Sequence, residues 1–223
     1  MTDLHAVPPA TTQAAATASR KSAEAVPASS HRDWQRVSLF IGGIMFAVGN
    51  LLHPLEHKDA AYATATWEAA HLTIFFSLPL LVLGLPYLHR RLAARTDSRL
   101  ATFAIAASMA GLIGIAPGTI IETFVAPMIG HEAMTELESG GMGAVNALLG
   151  GAYLGGTIAL GWVVRRAKLR PRGAGTSLIA SAVVLFGMMT ATGPAAGVVI
   201  IVSTMIYGIA LSALAVPRLP DEA

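Results

Sequence analysis

Residues 100–126 read LATFAIAASMAGLIGIAPGTIIETFVA, and Glu122 is the only charged side chain in this stretch. A helix needs roughly 20 mostly apolar residues to cross the ~30 Å hydrocarbon core of a bilayer. The stretch is long enough to cross, although Pro117 predicts that the helix is tilted or kinked. It therefore predicts a transmembrane helix with a single costly carboxylate, and such a carboxylate is often functional.

Five further apolar stretches accompany this one, and together they predict an all-α polytopic membrane helix bundle. The composition agrees, because 54% of the residues are hydrophobic and only 13% are charged, against about 25% charged in soluble domains. Residues 193–194, Gly-Pro, separate the last two stretches, since proline interrupts a helix. The six predicted spans are residues 37–52, 67–88, 100–126, 142–164, 174–192 and 195–216.

Residues 1–33 differ in composition from the rest of the chain. They are rich in Ala, Pro, Ser and Thr and show no hydrophobic period, which predicts a disordered tail. The sequence thus predicts two parts, a cytoplasmic tail over residues 1–33 and a six-helix transmembrane domain over residues 34–218.

The basic residues predict the orientation of the bundle. All of the 15 Lys and Arg residues except Lys58 fall on the same side of the six predicted spans. Loops rich in Lys and Arg stay in the cytoplasm, so we expect both termini inside. The clusters are short and lie between apolar stretches, which favours a lipid bilayer over nucleic acid as the partner. The high Ala, Gly and Arg content is typical of a bacterial inner membrane protein.

Four residues at the predicted extracytoplasmic ends of the first two spans could hold a metal ion. His53 and His57 are four residues apart, and Pro54 could begin a new helical turn that puts both on one face. Glu68 and His71 are three apart at the start of the second span. The chain has no cysteine, so imidazole and carboxylate are its available ligands for a transition metal. We predict a metal or haem site formed by His53, His57, Glu68 and His71.

Two further residues are candidates for the same site. Glu122 lies near the outer end of the third span, and His131 lies in the next outer loop. Either could join the cluster from a neighbouring helix.

Small residues at four-residue spacing predict close helix packing. Gly114-x-x-x-Gly118 lies on the third span and Gly151-x-x-x-Gly155 on the fourth. Such pairs allow the backbones of two membrane helices to approach each other.

Three functional classes stay open at this point. The first is a protein with an extracytoplasmic His/Glu metal or haem site that serves redox or hydrolytic chemistry. The second is a small transporter or permease-like protein in which Glu122 titrates along a pathway. The third is a non-catalytic accessory subunit of a larger membrane complex, and a homo-oligomer is equally compatible with the sequence. The sequence does not decide whether the protein is an enzyme.

Overall fold

The structure is a computed structural model that describes residues 28–187 and 193–216, apart from the side chains of residues 28–32 and of Asn146. Within these ranges the regular structure is entirely helical. The elements are α1 Ala28–Leu52, α2 Asp59–Tyr62, α3 Ala65–Ala93, α4 Ser98–Ile120, a π-helical turn Ile121–Val125, α5 Ala126–Ser139, α6 Gly141–Arg166, α7 Ala174–Phe186 and α8 Pro194–Ala215.

The chain divides into two units, Met1–Asp33 and Trp34–Ala223. In the first unit the described residues are helical, because α1 begins at Ala28, within the tail that the sequence predicts to be disordered. Residues 1–27 of that tail lie outside the described residues. The following paragraphs concern the second unit.

Five helical stretches of the described chain are long and apolar enough to cross a membrane. They are Asp33–Leu52, Ala65–Ala93, Ser98–Ser139, Gly141–Arg166 and Pro194–Ala215. The described residues therefore confirm the predicted all-α fold and the presence of helices long and apolar enough to cross a membrane. The helix Ala174–Phe186 is apolar but shorter, and residues 188–192 of the predicted fifth span lie outside the described residues. A sixth span and the orientation of the termini stay predictions.

Successive helices pack side by side, with α4 against α3 and α6, and α7 against α6 and α8. Apolar side chains, mostly leucines, fill the core, and those fully buried include Leu39, Leu85, Leu112, Leu160, Leu178 and Tyr207. Lipid tails are as apolar as leucine, so the bundle depends on close van der Waals packing between helices.

Glycines allow this close packing, but most of them are not the glycines that we predicted. A Cβ atom added to Gly111 would lie 2.4 Å from Cα of Tyr153, and one added to Gly156 would lie 2.6 Å from backbone atoms of α4. No atom outside the local helix lies within 4 Å of such a Cβ at Gly118, Gly151 or Gly155. Of the four glycines that we predicted, only Gly114 is in close contact, with the Leu149 side chain.

The stretch Ser98–Ser139 is broken twice. Just before Pro127 the helix widens into the π-helical turn, since the proline ring clashes with the carbonyl four residues earlier and lacks an N–H. Gly130 then adopts φ 80° and ψ 170°, a conformation that favours glycine. Glu122 thus lies in the first of the two breaks, directly after α4.

Candidate metal centre

Three side chains from separate elements converge at one end of the bundle. His53 follows α1, His71 lies in the second turn of α3, and Glu122 lies in the π-helical turn after α4. One potential ligand atom from each residue lies within 4.8 Å of the other two. The basic Arg90 and Arg91 lie at the far end of α3, about 28 Å away at about 1.5 Å per helical residue.

Nε2 of His71 has no hydrogen-bond partner among the described residues. The His71 side chain is only 1% exposed, and its Nδ1 lies 2.7 Å from the carbonyl oxygen of Trp67. A carbonyl only accepts, so Nδ1 carries the proton and donates it, and Nε2 of the neutral ring has a lone pair. Nε2 lies 3.2 Å from Oε2 of Glu122 but makes no hydrogen bond of acceptable geometry. A positive charge between these two atoms, from a proton or a metal ion, would make the contact favourable.

His53 also places Nδ1 next to a backbone carbonyl, but its Nε2 has a partner, because it can accept a hydrogen bond from Nε2 of His57 at 3.4 Å. His53 is buried, and its Nδ1 lies 2.9 Å from the carbonyl oxygen of Pro54, so Nδ1 is the donor and Nε2 has the lone pair. Burial lowers the pKa of His53 to about 4, and the imidazoles of His71 and His57 add to the shift. His53 is therefore neutral at pH 7, the form of imidazole that binds metals.

His57 lies beside the cluster as a third imidazole. Its Nε2 is 3.4 Å from Nε2 of His53, whereas its ring centroid is 6.5 Å from that of His71. Burial lowers its pKa as well, although the nearby Glu122 carboxylate opposes that shift. His57 is thus the nearest further donor, displaced towards the His53 side.

Trp67 makes hydrogen bonds to both His71 and Glu122. Its carbonyl fixes the proton on His71, and its indole Nε1 donates a hydrogen bond of 3.0 Å to the backbone carbonyl of Glu122. In the π-helical turn the N–H of Ala126 bonds to the carbonyl of Ile121, five residues earlier. The same pattern would pair the Glu122 carbonyl with residue 127, but Pro127 has no N–H. The indole therefore satisfies a carbonyl that Pro127 leaves unpaired.

The start of α3 places Trp67 and His71 on one face. The Thr64 hydroxyl caps the helix by accepting from the N–H of Trp67 at 3.3 Å. Trp67 and His71 are four residues apart, and their ring centroids are 4.0 Å apart. Tyr62 packs against the other side of the indole, with ring centroids 4.6 Å apart. All three aromatic side chains are buried.

The structure places the other candidates outside the cluster. We expected Glu68 to supply the carboxylate, but its side chain is exposed and Glu122 occupies that position next to His71. His131 is also exposed, and its backbone N–H donates to Oδ1 of Asp59 at 2.8 Å. Its side chain is near enough to His57 to contribute to the lowered pKa of that residue. Neither Glu68 nor His131 belongs to the group of three that converges in the described chain.

Two imidazole nitrogens and one carboxylate form a donor set that proteins use for zinc and for non-haem iron. Ligands 2.0–2.2 Å from a tetrahedral metal lie about 3.4 Å apart. The 3.2 Å between His71 and Glu122 fits this spacing, and a ring nitrogen of His53 lies within 4.8 Å of both. A haem fits poorly, because the ring centroids of His53 and His71 are 4.8 Å apart and leave no room for a macrocycle between them.

No family model matches the chain, and no curated protein or solved structure is significantly similar to it. We therefore infer function from the donor atoms and their hydrogen bonds.

Proposed function

We propose that this chain is a multi-pass membrane protein that binds one divalent transition metal ion through Nε2 of His53, Nε2 of His71 and the carboxylate of Glu122. The observation that carries the proposal is the pair of Nδ1–H groups held by backbone carbonyls. Histidines that bind metals almost always donate their other ring N–H to a carbonyl, carboxylate or water, which fixes the tautomer that aims the lone pair at the ion. Here Nε2 of His71 faces the Glu122 carboxylate at 3.2 Å, whereas Nε2 of His53 lies 3.4 Å from Nε2 of His57, a contact that His53 would exchange for the ion.

The charge distribution supports an extracytoplasmic position for this site. Within α3 the cluster lies at the amino-terminal end and the arginines at the carboxyl-terminal end. Arginine-rich ends stay in the cytoplasm, so the metal would lie near the outer surface of a bacterial inner membrane, with both termini inside.

Three protein ligands leave a fourth position for water or substrate, as in catalytic zinc sites. A metal ion held by these three ligands would act as a Lewis acid and would lower the pKa of a water at the fourth position to about 7, which would supply hydroxide for hydrolysis. His57 lies next to His53 and is placed either to complete the coordination or to accept a proton from the bound water. We infer the open arrangement, because the ring of His57 lies farther from His71 than the ring of His53 does.

Cobalt(II) substitution tests both parts of this proposal. Protein loaded with Co²⁺ should show visible d–d bands of a four-coordinate N/O site, and azide should shift them by replacing the water. His57→Ala should keep the bands and the azide response. If His57→Ala abolishes Co²⁺ binding, His57 is a ligand and the open position is wrong. If wild-type protein gives no d–d bands, the metal site itself is wrong.

A proton pathway is the second candidate, and the 3.2 Å contact between His71 and Glu122 favours it, since such a pair can exchange a proton. In liposomes, this function would give a proton-coupled flux that Glu122→Gln abolishes and that does not depend on metal. Flux that requires zinc, or no flux at all, would favour the metal centre.

A further inference from the structure

A second polar site lies at the opposite end of the bundle, in the loop that joins α6 to α7. The loop is ordered by its own backbone bonds, with the N–H of Lys168 donating to Arg165 and that of Leu169 to Val164. Leu169 is only 1% exposed and anchors the loop in the core. With the loop fixed in this way, the cations on either side of Leu169 project outward.

These cations surround an open cavity of about 490 Å³. Among the described residues its lining consists of Arg165, Lys168, Leu169, Arg170, Arg172 and Thr176, which are four cations, one hydroxyl and one leucine. Several basic side chains around one cavity attract an anion that binds there. Guanidinium groups suit the oxygens of a phosphate in particular, because each offers paired donors.

The close packing of α6 and α7 shapes the cavity. A Cβ atom at Gly175 would lie 2.6 Å from the carbonyl oxygen of Gly161 and 2.7 Å from Cγ of Arg165. The stem of Arg165 therefore crosses the first turn of α7, the turn that also carries Thr176. The positive end of the α7 dipole adds to the field of the cations.

The neighbouring surface of α6 changes along the helix from charged to aromatic to apolar side chains. Trp162 is 47% exposed, and the Arg166 guanidinium lies over its ring at 5.4 Å, which is typical of an aromatic at the membrane interface. Ile158, one turn further from the cavity, is 44% exposed. One helix face thus presents cations, then an interfacial aromatic, then apolar surface, in the order of a headgroup, a glycerol region and an acyl chain.

We propose that this cavity binds the phosphodiester headgroup of an anionic phospholipid, with an acyl chain lying along α6 towards Ile158. Basic pockets between transmembrane helices on the cytoplasmic side are known to bind such headgroups. The site is independent of the metal centre.

Native mass spectrometry of the full chain tests the proposal with phosphatidylglycerol and phosphatidylcholine as probes. Wild-type protein should retain phosphatidylglycerol in preference to phosphatidylcholine, a comparison that needs no variant. Arg170→Gln with Arg172→Gln should weaken phosphatidylglycerol binding about twenty-five-fold, since each cation near a lipid surface contributes about fivefold. The matched control is Arg95→Gln with Arg99→Gln, which removes the same charge from exposed positions in and next to the neighbouring basic loop.

Three results would overturn the proposal. Equal retention of the two lipids would show that the headgroup charge is not recognised. An equal loss of binding in the Arg95/Arg99 variant would show a general charge effect and no cavity. Displacement of phosphatidylglycerol by inorganic phosphate, but not by chloride at equal ionic strength, would assign the cavity to free phosphate.

Discussion

The indole nitrogen of Trp67 donates a hydrogen bond of 3.0 Å to the backbone carbonyl of Glu122, and the carbonyl of Trp67 accepts one of 2.7 Å from His71. One residue on α3 thereby holds two of the three proposed ligands in register. Outer-shell partners of this kind orient ligands and contribute to metal affinity, although they do not touch the ion.

Replacing Trp67 by Phe should therefore weaken metal binding without removing it. The phenyl ring keeps most of the packing against His71, while the Glu122 carbonyl loses its donor. We expect zinc affinity to fall by about 10- to 100-fold, the usual effect of losing an outer-shell partner, with the same stoichiometry at saturation. Competition with a chromogenic chelator measures this. Trp34→Phe, at a 41% exposed position on α1, is the control and should leave the affinity unchanged. Unchanged affinity in Trp67→Phe would show that the indole has no part in the site.

The two glutamates near His71 should behave differently. Glu122→Gln removes the charged ligand and should lower zinc affinity by more than about 100-fold, beyond the range for outer-shell partners. Glu68→Gln, on the exposed face of α3, should bind zinc as the wild type does. Isothermal titration of both variants in detergent distinguishes these outcomes. A loss of binding in Glu68→Gln alone would restore the ligand set that the sequence predicts.

Sequence patterns identify much of this site, and the difference between the two glutamates shows where they fail. The spacing of the histidines and their position at the ends of the first two predicted spans suffice to select His53 and His71. The buried positions Trp67, Ala70, His71, Ile74 and Leu78 follow a helical period that leaves Glu68 outside the buried face. The sequence does not show that period, because Leu72, Phe75 and Phe76 between these positions are apolar as well.

Glu122 and Trp67 show a different limit. The cost of a carboxylate inside a span marks Glu122 as a candidate, but its partner depends on the packing of α4 against α3, which no local pattern encodes. The indole bond also depends on the π-helical turn before Pro127. The glycines are similar, because a four-residue spacing indicates a small-residue face and does not indicate which glycines meet a neighbouring backbone.

The neighbouring glycines of α6 allow a direct test of the packing. Gly156→Ala places a methyl group 2.6 Å from the α4 backbone and should destabilise the bundle by about 1–3 kcal/mol, as overpacked cores do. Gly155→Ala meets no neighbour and should be neutral or stabilise the helix by up to about 1 kcal/mol. Unfolding midpoints in detergent report the order of the variants. A more stable Gly156→Ala than Gly155→Ala would contradict the packing of α6 on α4.

Reporter fusions test the proposed orientation. Fusions after residues 95 and 168, in the basic loops, should report the cytoplasm, because Lys- and Arg-rich loops are retained there. Fusions near residues 60 and 135 should report the outside. A cytoplasmic report at residue 60 would move the metal centre to the inner side of the membrane.

The metal content of the purified protein tests the central claim most directly. Wild-type protein incubated with zinc and then freed of excess metal should retain about one equivalent, held by N/O ligands at 2.0–2.2 Å in X-ray absorption. His71→Ala should lose that equivalent while the helical content stays unchanged, since apolar packing holds the bundle. His89→Ala, whose Nε2 lies 3.0 Å from the Thr102 hydroxyl away from the cluster, should retain it. Wild-type protein without stoichiometric metal, or His71→Ala with its full equivalent, would contradict a metal centre at His53, His71 and Glu122.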